Sequence, residues 1–186
     1  MPTKGTYPKG YPEGAIVHYT AGVQRPGYDD IMLGIRNDFA YMLIDSAGVV
    51  YQAHPLNHWG YHCGESSWPG LGEWLSSRLV GIEIACAGIL NSVHETWFNV
   101  AVPPEQVRQF VPDGKNQTPG AYQIYTAAQE TSLLALLKWL HANGNGIFDF
   151  NNVLGHDEVA PKRKQDPGGS LSMTMPEYRR FLNNQV

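Results

Sequence analysis

Only two cysteines, Cys63 and Cys86, occur among 186 residues, too few for a disulfide-dense secreted scaffold. One bridge stays open on count alone, but the simpler expectation is two free thiols with at least one of them buried. Charge is scarce as well. Charged residues make up 16% of the chain, and 13 Lys and Arg against 17 Asp and Glu leave a formal net charge of −4, which gives no electrostatic footing for nucleic acid. No apolar run approaches the ~18 residues of a membrane span, and the opening MPTKGTYPKGYPEG has no apolar core of signal-peptide length. A soluble product made in the cytoplasm without a leader, and without membrane insertion, is therefore expected. Internal repeats and low-complexity segments are also missing, which argues against a solenoid.

What is present is a chain that folds. Apolar residues reach 42% and aromatics 11%, enough for a core that encloses a site within one domain, expected to span residues 1–186. Ala15 to Thr20 (AIVHYT) reads as a strand with His18 near its C-terminal end. Phe39 to Asp45 and Val49 to His54, joined by Ser-Ala-Gly, read as a β-hairpin. Leu79 to Cys86 (LVGIEIAC) is a nearly continuous apolar strand interrupted by one carboxylate, Glu83. From Thr126 to Asn143 the period becomes helical, with Leu133, Leu137 and Leu140 on one stripe, Leu134 and Leu136 beside it, and Gly144 as the stop. Val153 to His156 is a short strand or its end, and Thr174 to Glu177 is a capping box that opens a last helix. Asn91 to Gly120 is irregular and too long for an ordinary connection, so it is read as an insertion. Strands alternating with helices give an α/β class with a central mixed β-sheet flanked by helices.

Charge concentrates in one place, VLGHDEVAPKRKQDPGG at 153–169. His18, His156 and Asp166 together are the donor set of a catalytic zinc that leaves a fourth position to water. Spacing alone does not select them. His54, His58 and His62 fall at i, i+4 and i+8, although Pro55, Gly60 and Gly64 interrupt a helical reading. Glu83 is more informative: its strand face holds Gly81 and Ala85, while Val80, Ile82, Ile84 and Cys86 point the other way. A Glu in an apolar strand is either held by an Arg or a backbone amide or opens into a cavity, where it becomes a candidate general base.

IVHYTAG, AYMLIDSAGVVYQAHPLNHWGYHCGESS, LVGIEIACAG and GHDEVAPKRKQDPG, in that order from about residue 14 to 170, resemble the zinc-dependent N-acetylmuramoyl-L-alanine amidases of the type 2 amidase and peptidoglycan-recognition-protein superfamily. The resemblance implies a peptidoglycan-recognition-protein-like fold. It also implies a Zn2+ site of His18, His156 and Asp166, with Lys164 facing the scissile carbonyl and Glu83 as the base. Some members place a Tyr just before the hairpin strand, where this chain has Ala40 followed by Tyr41. Members without that Tyr carry the Glu that is Glu83 here. His62 lies in WGYHCG, similar to a Trp-His-Ala-Gly tract that lines the substrate groove, with Trp59 and Tyr41 as further groove residues and Cys63 in place of Ala. Lys162 and Arg163 are expected to face solvent.

The implied reaction is hydrolysis of the amide between N-acetylmuramic acid and L-alanine. Zinc, a base and a cation near the developing oxyanion suit that reaction. A lytic cell-wall enzyme, such as a phage endolysin or a delivered toxin acting on the wall after release, is expected over a cytoplasmic muropeptide-recycling amidase. A non-catalytic peptidoglycan-binding receptor is disfavoured, because such receptors typically lose a metal ligand. The partner is peptidoglycan or a muropeptide, and a monomer is expected from the resemblance.

Overall fold

The computed structural model describes residues 4–37, 41–111 and 118–185, with only the backbone of Tyr41. Its frame is a five-stranded sheet. In chain order the elements used below are β1 (Ala15–Tyr19), α1 (Asp29–Arg36), β2 (Tyr41–Ile44), β3 (Val50–Gln52), β4 (Val80–Ile84), β5 (Val107–Phe110), β6 (Gly120–Gln123), α2 (Ala127–Asn143), β7 (Val153–Gly155), α3 (His156–Val159) and α4 (Met175–Asn183). The sheet runs β7-β1-β4-β2-β3, parallel except for the antiparallel β2–β3 edge. A strand in the middle of a parallel sheet is covered on both faces, which is why β4 reads as a nearly unbroken apolar run.

One face of the sheet carries Ala15, Val17, Met42, Ile44, Val80, Ile82, Ile84 and Val153. Against it pack Leu133, Leu136, Leu137 and Leu140 of α2, and Met175, Tyr178 and Leu182 of α4. Thr126 caps α2. Thr126 Oγ1 accepts from the Gln129 amide at 3.1 Å, the Thr126 amide donates to Gln129 Oε1 at 2.9 Å, and Gln129 Nε2 donates onward to the Ala85 carbonyl at 2.8 Å. This cap therefore ties the helix start to the end of β4. At the start of α4, Glu177 accepts from both the amide and the hydroxyl of Thr174, as the sequence predicts.

The opposite face is covered in two separate patches. Ile16 and Leu154 pack with Leu71, Leu75, Leu79, Cys63 and Val159, and Leu43 packs with Ile31 of α1. Between the patches, at the carboxyl ends of the parallel strands, His18 and Glu83 are register partners. Ends of parallel strands are where open α/β sheets place their ligands.

Two expectations need correction. The strand predicted over Leu79 to Cys86 is shorter, because the Leu79 amide is taken by the Leu75 carbonyl in a preceding 3₁₀ turn. The stretch read as irregular over Asn91 to Gly120 contains β5, which pairs with β6 in an antiparallel arm. Arg108 fastens that arm by donating to the carbonyls of Gly169 and Leu171. Ala40 lies outside the described residues, as does Phe39 of the predicted hairpin. No helix among the described residues is long and apolar enough to cross a membrane. Cys63 and Cys86 are both free and both buried.

Candidate active site

β1 delivers His18, and β7 ends at Gly155 so that His156 opens α3 beside it. The chain then turns back. The Asp157 amide donates to the Asp166 carbonyl at 2.8 Å, which closes the charged loop and returns Asp166 to His156. The result is that His18, His156 and Asp166 are all buried, with one donor atom from each lying within 4.8 Å of the others.

Counting protons shows what this cluster is suited to hold. His18 Nδ1 and His156 Nδ1 lie 2.8 and 2.9 Å from the same oxygen, Asp166 Oδ2. The outer nitrogens are also engaged. His156 Nε2 faces the Cys63 carbonyl at 3.1 Å, His18 Nε2 faces His62 Nδ1 at 3.0 Å, and His62 Nε2 faces the Leu79 carbonyl at 2.9 Å. A carbonyl only accepts, so Nε2 of His156 and of His62 carry their protons. Neutral His62 then accepts at Nδ1 from His18 Nε2–H. Three neutral imidazoles supply three protons to five contacts, and both deficits fall at Asp166 Oδ2. There two nitrogen lone pairs meet a carboxylate oxygen. An extra proton on His18 is a poor remedy, because burial and the neighbouring His156 lower its pKa to about 4 against the pull of Asp166. A divalent cation satisfies all three donors at once, and two imidazoles with one carboxylate are zinc-type ligands.

Glu83 opens onto the same cavity of about 310 Å³, together with His18, His62, His156, Lys164 and Asp166. Its Oε2 is sealed from solvent and has no hydrogen-bond partner among the described residues. Burial, then the charge of Asp166, raises its pKa well above the ordinary glutamate value, with Lys164 opposing. The Glu is thus not one clasped at Oε2 by an arginine or an amide. The strand face next to it is taken by His62: a Cβ on Gly81 would come within 2.6 Å of that ring. Gly81 is what lets that ring lie over β4.

The loop sorts its three cations. Lys164 lines the cavity and Lys162 does not. Arg163 is exposed as expected, and its guanidinium also donates to the carbonyls of Cys63 and Glu65. It shares the Cys63 carbonyl with His156. Cys63 itself is buried between the hydroxyls of Ser66 and Ser76, at 3.3 and 3.1 Å. Trp59 is not brought to the cavity; it pairs with Gly5 and stacks edge-on with Tyr61. The Tyr41 side chain lies outside the described residues. Sequence reasoning missed Arg163 and Ser76, whose partners are backbone groups that leave no motif.

The chain matches the family model described as N-acetylmuramoyl-L-alanine amidase over residues 8–169. No curated protein matches it. Among solved structures, an AmpD selenomethionine derivative is 23% identical, with a TM-score of 0.60 over 98% of this chain and 92% of that one. AmiD from E. coli, in complex with anhydro-N-acetylmuramic acid-L-Ala-D-gamma-Glu-L-Lys, is 20% identical with a TM-score of 0.64. That match covers 93% of this chain and 58% of AmiD. The endolysin amidase LysCS from Clostridium intestinale is 18% identical, with a TM-score of 0.52 over 98% of this chain and 93% of that one. At these identities the structures show a shared fold, and the family match over most of the length shows the rest: the chain belongs to the type 2 N-acetylmuramoyl-L-alanine amidase family and is a peptidoglycan amidase.

Proposed function

We propose that this chain is a zinc hydrolase, acting as one catalytic domain and as a monomer, that cleaves the amide between N-acetylmuramic acid and L-alanine in the polymeric cell wall. The observation that carries the zinc reading is the pair of proton deficits at Asp166 Oδ2. Zinc held by His18, His156 and Asp166 would supply a Lewis acid for the carbonyl and lower the pKa of an attacking water. The chain supplies the rest. Glu83 would take a proton from the attacking water and return it to the leaving amine, a task suited to a carboxylate whose pKa burial has raised. Lys164, placed on the same cavity wall, offers its ammonium to the developing oxyanion.

The polymer is favoured over a soluble muropeptide by the insertion. Trp97 is 73% exposed, yet its indole N–H donates at 2.6 Å to the carbonyl of Ala21, a residue of the cavity lining. An aromatic plane held at the rim of a site suits a sugar ring beyond the scissile unit. The recycling reading has its own support in the bound ligand of AmiD, which is a soluble anhydromuropeptide.

Metal analysis of the purified protein should find one zinc, and chelation should abolish turnover. His156→Ala should lose both, since two remaining donors bind zinc far more weakly. Stoichiometric zinc in that variant would overturn the ligand assignment. Release of peptides from intact sacculi should be observed; turnover confined to soluble anhydromuropeptide would replace the lytic reading with the recycling one.

A further inference from the structure

His62 shares the cavity wall with the zinc-type ligands, but its two ring nitrogens are both already engaged within the protein. Nε2 is 2.9 Å from the Leu79 carbonyl and Nδ1 is 3.0 Å from His18 Nε2. Its position is over-determined. The ring lies over Gly81, where any Cβ would strike it, and its amide donates to Ser76 Oγ at 3.2 Å. The next residue is held by the same hydroxyl, with the Cys63 amide also 3.2 Å from Ser76 Oγ. The Cys63 carbonyl then faces His156 Nε2. One two-residue segment, clamped by Ser76 and Arg163, therefore presents an acceptor to the outer nitrogen of each histidine in the cluster.

We infer that His62 is a positioning residue of the metal site: through the chain Leu79 carbonyl, His62, His18 it fixes the His18 proton on Nε2 and so keeps the Nδ1 lone pair aimed beside Asp166. This rests on the zinc reading above and adds to it a role distinct from lining a substrate groove. A metal-bound histidine usually gives its second N–H to a carboxylate, a carbonyl or water. Here the acceptor is another imidazole, which can accept only because its own proton is directed to Leu79. The tautomer of His18 is thus set one residue further out, by a backbone carbonyl that cannot change its role.

Two variants and one spectrum test this. His62→Phe keeps a ring over Gly81 and removes the acceptor; His62→Asn keeps an acceptor close to the position of Nδ1. Zinc affinity, measured by competition with a chromophoric chelator, should fall by about 10- to 100-fold in His62→Phe, the usual scale for losing an outer-shell partner, and recover for the most part in His62→Asn. In the metal-free wild type, long-range nitrogen–proton correlation of the imidazoles should place the His18 proton on Nε2. A His62→Phe protein that binds zinc as tightly as wild type, with only KM altered, would make His62 a groove residue and overturn the inference. Equal weakening in both variants would reduce it to packing. If His62→Phe does not fold, the wild-type spectrum still decides, because a proton on His18 Nδ1 refutes the relay. A wild-type protein that binds no zinc removes the underlying reading, whereas tight zinc binding that is indifferent to His62→Phe removes the relay alone.

Discussion

On one side of the cavity His18, His62, His156 and Asp166 are joined by three contacts of 2.8 to 3.0 Å, and two more anchor His62 and His156 to the carbonyls of Leu79 and Cys63. On the other side Leu33 of α1 stands 57% exposed, and Trp97 of the insertion leans on the rim by a single hydrogen bond. The first wall is built by parallel strands and a loop that closes on itself. The second is built by a short helix, with Trp97 of the insertion at its rim. A buried polar network is costly unless satisfied, so its members hold one another to a single geometry. An exposed apolar side chain carries no such obligation and is free to meet different ligands. The contrast suggests a division of labour in which the buried wall does the chemistry and the exposed wall selects the substrate.

The largest effect expected from breaking the buried wall without touching the proposed zinc ligands is at Glu83. Glu83→Gln keeps the shape and removes the base, so kcat should fall by about 10²- to 10⁴-fold with zinc still bound. Near wild-type turnover would move the base elsewhere. The same substitution has a second consequence for the metal-free protein. The folded-state pKa of Glu83 is raised well above its ordinary value of 4.5. Between those two values the unfolded chain releases a proton that the folded chain keeps, so this group costs wild-type stability as pH rises through the window. Glutamine has no such linkage. Metal-free Glu83→Gln should therefore melt above wild type at neutral pH, and the gap should close as pH falls below about 4.5. A melting temperature lower than wild type at neutral pH would show that Glu83 is stabilised by a partner.

The same division explains what was legible in the sequence. Alternation in AIVHYT and LVGIEIAC shows which strand residues face α2, and a polar side chain among those apolar runs marks His18 and Glu83 directly. The helix over residues 127–143 announces itself by period and stop. The reciprocal anchors do not. Arg163 and Ser76 act on backbone atoms of a segment about 100 and 13 residues away, and nothing in a local pattern reports which carbonyl a guanidinium will meet. Trp59 stands in a motif that resembles a groove tract, but the pairing of His58–Trp59 with Gly5–Thr6 leaves it outside the lining of the cavity that holds His18 and Glu83. β5 was hidden because VRQF is short, partly polar and preceded by a Pro-rich turn.

A middle-sized effect separates two cations of one loop. Lys164 lines the cavity and acts electrostatically on both His18 and Glu83, whereas Lys162 is exposed and outside that lining. Lys164→Ala should lower kcat by roughly 10²-fold, the scale of losing one donor to an oxyanion. Lys162→Ala should be nearly silent. Equal, small effects confined to KM would mean that the loop merely attracts an anionic substrate, and the buried wall would then end at Asp166.

The smallest effect is expected at the exposed wall, and it bears on substrate choice more than on rate. Trp97 touches neither the donors of the metal site nor Glu83, so Trp97→Ala should leave zinc content unchanged. Its indole presents an apolar plane beside Ala21, and loss of an aromatic–sugar stack should weaken binding of a glycan longer than the scissile unit by several-fold, on the scale of about 1 kcal/mol for one exposed ring. The rate on intact sacculi should accordingly fall more than the rate on a soluble anhydromuropeptide, with the loss in KM and not in kcat. Measured side by side, a larger loss on the soluble substrate would place Trp97 against the peptide or the muramic acid itself. An equal loss on both would indicate that the indole supports the Ala21 turn, and with it the rim, without choosing between polymer and fragment.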